Sequence, residues 1–365
     1  MSTTFAVDRK DLRSTHWLER ASGPLPAEHV RVRIDRFALT SNNVTYAAFG
    51  ESMHYWDFFP SGEEGTGCVP VWGFATVSES RHQAVPVGAR LYGYFPMADE
   101  VDLAPAAVSS HGFVDGAAHR RTLPGIYNHY RLCADDPGYR SEDEPLIALL
   151  RPLFTTSFLI DDFLADDAFF GARSIVISSA SSKTAYGLAF CLSRRGGPAD
   201  RPRVVGLTSA RNIAFTRSLG CYDDVIAYDE LAAAPVDEPV VYVDMSGDVA
   251  VREAVHRRWD GRLAYSCSVG ATHWQVLGNA KGLPGPKPVL FFAPSQAQKR
   301  VAEWGAKQFH TRLAGAWDEF VARVGDPDRP WLRISRGEGR DAVQATYLAL
   351  LAGQVPADVG WVLRV

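Results

Sequence analysis

Residues 174–193 read Ser-Ile-Val-Ile-Ser-Ser-Ala-Ser-Ser-Lys-Thr-Ala-Tyr-Gly-Leu-Ala-Phe-Cys-Leu-Ser, and no other stretch narrows the fold so far. An apolar run from Ile175 to Ile177 gives way to small polar residues and then to helical spacing, with Leu188, Ala189 and Leu192 on one face. That order is strand, tight turn, helix. A second apolar run, 203–207, ends in Thr208, Ser209, Ala210, Arg211 and Asn212, and a third, 240–244, ends in Asp244. Strands alternating with helices in this rhythm predict a parallel, doubly wound α/β sheet whose ligands bind at the carboxyl ends of its strands.

At 365 residues the chain exceeds what one core usually holds, so two domains are expected. Lys plus Arg number 38 against 42 for Asp plus Glu, a net charge of -4 that offers no counter-charge to nucleic acid or an anionic membrane. The pairs Arg194/Arg195 and Arg257/Arg258 read as solvated helix ends. Asp161, Asp162, Asp166 and Asp167 interrupt the most hydrophobic run, which falls short of the ~20 residues a membrane helix needs. Five cysteines (Cys68, Cys133, Cys191, Cys221, Cys267) form no Cys-x-x-Cys pair, and the N-terminus lacks the basic-then-apolar order of a signal peptide. A reduced, cytoplasmic protein is expected.

Ahead of the central stretch, residues 30–37 (Val-Arg-Val-Arg-Ile-Asp-Arg-Phe) alternate as a strand with one wet face does. Residues 70–77 and 88–94 are further short strands, so a small β-rich domain comes first. The aromatic piece 53–59, Met-His-Tyr-Trp-Asp-Phe-Phe, suits a core or subunit contact, or the wall of a substrate pocket. Asp135, Asp136, Pro137 and Gly138 punctuate the chain before the charged residues 141–144, which puts a domain boundary between Asp135 and Pro145. Residues 151–164 have helical spacing, and 360–365 alternate as a closing strand that needs a sheet to join.

The order β-domain, parallel α/β domain and short C-terminal return resembles the medium-chain dehydrogenase/reductase superfamily. Residues 30–42 are similar to the strand and Asn-containing loop of its zinc-independent quinone and enoyl reductases, 87–93 (Val-Gly-Ala-Arg-Leu-Tyr-Gly) to one of their turns, and 219–228 to their leucine-glycine segment. Residues 153–159, 178–185 and 206–212 resemble a bacterial family of unknown function within that superfamily. The resemblance implies a GroES-like substrate domain over 1–140, a Rossmann cofactor domain over 141–295 and a C-terminal return over 296–365 that completes the substrate domain. It also implies a homodimer. Two departures stand out. Where zinc-dependent members carry a His-Glu pair, this chain has Val71 and Trp72 before Gly73, and it has no four-Cys lobe, so no metal is expected. The glycine-rich phosphate turn is replaced by Ser179, Ala180, Ser181, Ser182, Lys183 and Thr184.

Glycines in that turn let the backbone approach a pyrophosphate. Hydroxyls at a helix N-terminus can donate to phosphate oxygens beside the backbone N–H groups, and Lys183 adds a full charge. The same serines could simply cap the helix. Ser182, Lys183 and Thr184 also look like the end of a nucleotide P-loop, but its first glycine would fall at Ile177. The second strand ends without the carboxylate that selects NAD, and Ser209 and Arg211 suit the 2′-phosphate of NADP(H), with Asn212 beside them as a further cofactor-binding candidate. A capped helix start with an exposed Arg is the plainer reading. By resemblance Thr156 touches the nicotinamide amide, Tyr228 lies near the adenine, Ser246 sits at the third strand end, and Ser268 lines the nicotinamide side with Cys267. Tyr46 and Tyr55 are the candidate proton donors, with Asn42 or Asn43 as a carbonyl partner and His54 behind them; each tyrosine also suits a packing role. The resulting expectation is an NADPH-dependent, zinc-independent reductase of a small molecule bearing an activated double bond. Its rivals are a non-catalytic nucleotide-binding sensor or interaction protein, and covalent or acid–base chemistry at Lys183 or a serine of the same turn without a nicotinamide.

Overall fold

The computed structural model describes residues 1–136, 139–196, 201–235, 237–269 and 282–365. Pro137 and Gly138 of the expected boundary lie outside the described residues. Two compact units result: Met1–Leu150 with Leu332–Val365, and Arg151–Trp331. The fold is α/β, a doubly wound parallel sheet in one unit and antiparallel β-structure in the other.

In the first unit the long strand Val30–Leu39 is central. It pairs antiparallel with Pro70–Ser80, with Glu100–Leu103 and with the closing strand Val359–Arg364. Val30, Val32 and Ile34 are buried, as period two requires, but the next buried apolar side chains are Phe37, Ala38 and Leu39. A register shift between Ile34 and Arg36 accounts for the change, because one extra residue turns the following side chains over. Asp35 at that irregularity is ion-paired to Arg90, which also grips Glu144 through Nε at 2.8 Å and Nη2 at 2.7 Å. Glu144 opens the helix Glu144–Asp166, earlier than the apolar spacing from residue 151 suggests. A carboxylate in the first helical turn is favoured there, and this one is buried against Arg90, Arg36 and Tyr139.

In the second unit six parallel strands lie in the order Asp224–Ala227, Arg203–Thr208, Ser174–Ile177, Val240–Asp244, Leu263–Ser268 and Val289–Leu290. Every residue of Ser174–Ile177 and of Val240–Asp244 is buried, which is why these strands read as unbroken apolar runs. The helix Lys183–Ser193 packs closely on the helix Glu144–Asp166: a Cβ on Gly187 would stand 2.7 Å from Ser157 Oγ. Helices Ala293–Trp304 and Ala306–Val324 belong to this unit. Phe320 stacks on Phe154 at 4.4 Å and Trp331 meets Tyr186 at 5.6 Å, so aromatic burial holds residues up to Trp331 here. No helix among the described residues is long and apolar enough to cross a membrane.

Candidate functional site

Numbered along the chain, the parallel sheet has the order 3-2-1-4-5-6, so the strand order reverses between Ser174–Ile177 and Val240–Asp244. Ligands of open α/β sheets bind outside the carboxyl ends of the strands at such a switch point. Residues 178–184, 209–212 and 245–248 follow the carboxyl ends of the first, second and fourth strands.

Asp244, fully buried, stitches the switch point together. Its Oδ1 accepts from Ser178 Oγ at 3.1 Å, the Ser246 N–H at 3.1 Å, Ser246 Oγ at 2.9 Å and the Gly247 N–H at 3.0 Å. Its Oδ2 accepts from Nε of buried Arg252 at 2.8 Å. Ser178 Oγ in turn accepts from the Met245 N–H at 3.0 Å. Ser178, Asp244 and Arg252 were not among the sequence candidates, although a carboxylate closing an apolar run had to be paired if buried.

The glycine-free turn is held by side chains. Ser179 has φ +49°, a left-handed conformation that costs a residue with a Cβ more than it costs glycine. Its N–H donates to Tyr228 Oη at 2.8 Å, and burial pushes the Tyr228 phenol upward. Ala180 is fully buried against Gly206; its N–H donates to the Leu207 carbonyl at 3.0 Å and its own carbonyl accepts from Tyr222 Oη at 2.8 Å. Both backbone groups of Ala180 are therefore used inside the fold. Ser181 Oγ accepts from Asn212 Nδ2 at 3.0 Å and from Thr208 Oγ1 at 3.3 Å. Ser182 caps the helix Lys183–Ser193, its Oγ accepting the Ala185 N–H at 3.3 Å. Lys183 and Thr184 are half-buried in its first turn, and the Thr184 carbonyl accepts from Ser157 Oγ at 2.7 Å.

Among the other candidates, Ser209 is half-buried and its carbonyl accepts the Asn212 N–H at 2.9 Å, while Arg211 is exposed on the short turn Ala210–Asn212. Ser268 is buried in register with Asp244. Thr156 is half-buried and its Oγ1 donates back to the Pro152 carbonyl at 3.3 Å. Cys267 is fully buried and burial pushes its thiol up to about 12, the state of a packed residue rather than a nucleophile.

In the first unit Tyr46, on the helix Ser41–Ala48, and Tyr55 are both buried, with ring centroids 4.5 Å apart. Tyr55 Oη lies 3.3 Å from Tyr127 Oη, and Tyr94 and Phe58 close the cluster around them. Burial drives the Tyr46 and Tyr55 phenols above their ordinary value. Tyr94 and Tyr127 come from distant parts of the chain, which hid the cluster from a reading of the 53–59 piece. Asn43 is spent on structure: its Oδ1 accepts the Thr40 N–H at 2.8 Å and its Nδ2 donates to the Pro70 carbonyl at 2.9 Å. His54 is exposed, with Nδ1 2.9 Å from Asp57. Among the described residues no group of three or more His, Cys, Asp or Glu side chains could hold a metal ion.

Solved structures share this fold. CurA from Vibrio vulnificus in complex with NADPH is 14% identical over 99% of this chain and 98% of its own, with a TM-score of 0.58. The yhdH oxidoreductase from Salmonella enterica in complex with NADP is 14% identical over all of both chains, with a TM-score of 0.54. The quinone oxidoreductase from Coxiella burnetii is 13% identical over 100% of this chain and 99% of its own, also at 0.54. At such identity the likeness shows the fold alone. No curated protein matches the sequence. The family described as "Protein of unknown function (DUF2855)" matches residues 37–356, so the chain belongs to that family.

Proposed function

We propose that this protein is an NADPH-dependent, zinc-independent reductase of activated double bonds, as in an enone, a quinone or an enoyl thioester. It would be cytoplasmic and act as a homodimer. The observation that carries the reading is the convergence of three polar strand ends, 178–184, 209–212 and 245–248, on the switch point of a 3-2-1-4-5-6 sheet. The donor set suits a dinucleotide. Helix N-terminal N–H groups with the hydroxyls of Ser181 and Ser182 and the Lys183 ammonium would hold the pyrophosphate. Ser209 and Arg211 would hold the 2′-phosphate, with Tyr228 beside the adenosine, and Thr156, Ser246 and Ser268 on the nicotinamide side.

When bound, NADPH supplies a hydride to the electron-poor carbon of a conjugated acceptor. Tyr46 or Tyr55 would hold the proton that completes the reduction. Phenols are protonated at neutral pH at their ordinary value of about 10, the form a donor needs, and burial moves both further upward.

A second reading is a nucleotide-binding protein without turnover. It is favoured by the burial of Tyr46 and Tyr55 in an aromatic cluster, a setting that suits packing. The two readings part in one assay: NADPH consumption by the full chain with an enone, a quinone and an enoyl thioester. Turnover that falls in Tyr46→Phe or Tyr55→Phe supports the reductase, whereas NADPH binding without turnover on all three acceptors supports the sensor.

A further inference from the structure

A serine hydroxyl has one proton to give and two lone pairs to receive. At Ser181 both lone pairs are filled, by Asn212 Nδ2 at 3.0 Å and Thr208 Oγ1 at 3.3 Å. Thr208 is buried, at 1% exposure, so water cannot readily replace Ser181 as its partner. We infer that Asn212 is a positioning residue: together with Thr208 it turns the Ser181 proton out of the fold as a fixed donor to a pyrophosphate oxygen. This rests on the dinucleotide reading proposed above.

The arrangement accounts for the missing glycine. A glycine-rich turn lets a phosphate approach the backbone; residues 179–184 contain no glycine and offer the Ser181 hydroxyl instead. That hydroxyl compensates only if its proton faces the ligand. A free serine rotor would give up part of that gain in ordering, and the two donors remove the freedom beforehand. The role of Asn212 as a cofactor residue follows. Its amide is committed to the turn after the first strand, so it serves the pyrophosphate that NADH, NADPH and ADP share and does not read the 2′-phosphate.

The test is calorimetric titration of the full chain, wild type, Asn212→Ala, Ser181→Ala and the double variant, with NADPH, NADH and ADP. Asn212→Ala and Ser181→Ala should each weaken all three ligands in parallel, by about 10-fold for a hydrogen bond to a charged acceptor. The NADPH-to-NADH affinity ratio should stay unchanged, and the double variant should bind no more weakly than Ser181→Ala. Should Asn212→Ala fail to fold, Thr208→Val removes the other donor and should give the same non-additivity with Ser181→Ala. Additive losses, a loss confined to NADPH, or no loss would overturn the inference while leaving the dinucleotide reading in place. Wild type that binds none of the three would overturn both.

Discussion

The Asp244 carboxylate and the Arg252 guanidinium, both buried, meet at 2.8 Å beneath the turns that flank the switch point. Removing one partner leaves the other charged and unpaired inside the protein. Asp244→Ala should therefore cost about 3 kcal/mol or more, read from the midpoint of urea unfolding. Replacing both, as Asp244→Asn with Arg252→Met, should cost less than Asp244→Ala alone. An unchanged midpoint in Asp244→Ala would contradict this.

Gly206 leaves room for the turn. A Cβ there would lie 2.9 Å from both Ala180 Cβ and Tyr222 Cδ1. Gly206→Ala should destabilise by about 1–3 kcal/mol through overpacking, and by shifting Ala180 it should also weaken NADPH. Alanine at Gly125, where nothing lies within 4 Å of the added Cβ, would meet no packing partner. Only the Gly206 variant should lose ligand affinity.

His256 carries a pH dependence. It is fully buried, with Nδ1 2.9 Å from the Pro284 carbonyl and Nε2 2.9 Å from Ser266 Oγ. Burial lowers its pKa, with Arg252 pulling the same way and the Pro284 hydrogen bond opposing. Above the unfolded value of about 6.5 both states are neutral and nothing is lost. As pH falls below it, the unfolded chain takes up the proton first, so stability falls until the folded value is passed. Unfolding midpoints should drop from pH 7 to pH 5, and His256→Gln should flatten that slope. An equal slope in the variant would rule His256 out as its source.

Tyr46 and Tyr55 should separate binding from chemistry. Phenylalanine at either position keeps the ring that packs at 4.5 Å and removes only the hydroxyl. The variant of the true donor should lose about 100-fold in turnover with NADPH affinity unchanged. If neither loses turnover, the proton comes from elsewhere.

The parallel sheet was legible because strands buried on both faces, such as Ser174–Ile177 and Val240–Asp244, leave apolar runs that local sequence cannot disguise. The first-unit strand was legible by alternation up to Ile34. Beyond it the register shift moved Phe37 to the buried face, and nothing local marks that irregularity. The start of the helix at Glu144 was hidden because its anchor is Arg90, 54 residues away in sequence. The small polar residues of the turn were visible in the sequence, but their partners were not. Asn212 for Ser181, Tyr228 for Ser179 and Asp244 for Ser178 are contacts the sheet creates by bringing distant strand ends together.

The central claim is that a glycine-free turn at the switch point takes NADPH. Calorimetric titration of the purified protein with NADPH and NADH, repeated on Arg211→Ala, tests it most directly. Tighter binding of NADPH than NADH, weakened about 10-fold or more in the variant, a loss of about 1.4 kcal/mol, is the predicted result. No binding of either nicotinamide by the wild-type protein would contradict the account and leave the serine turn as a helix cap or a site for a different phosphate.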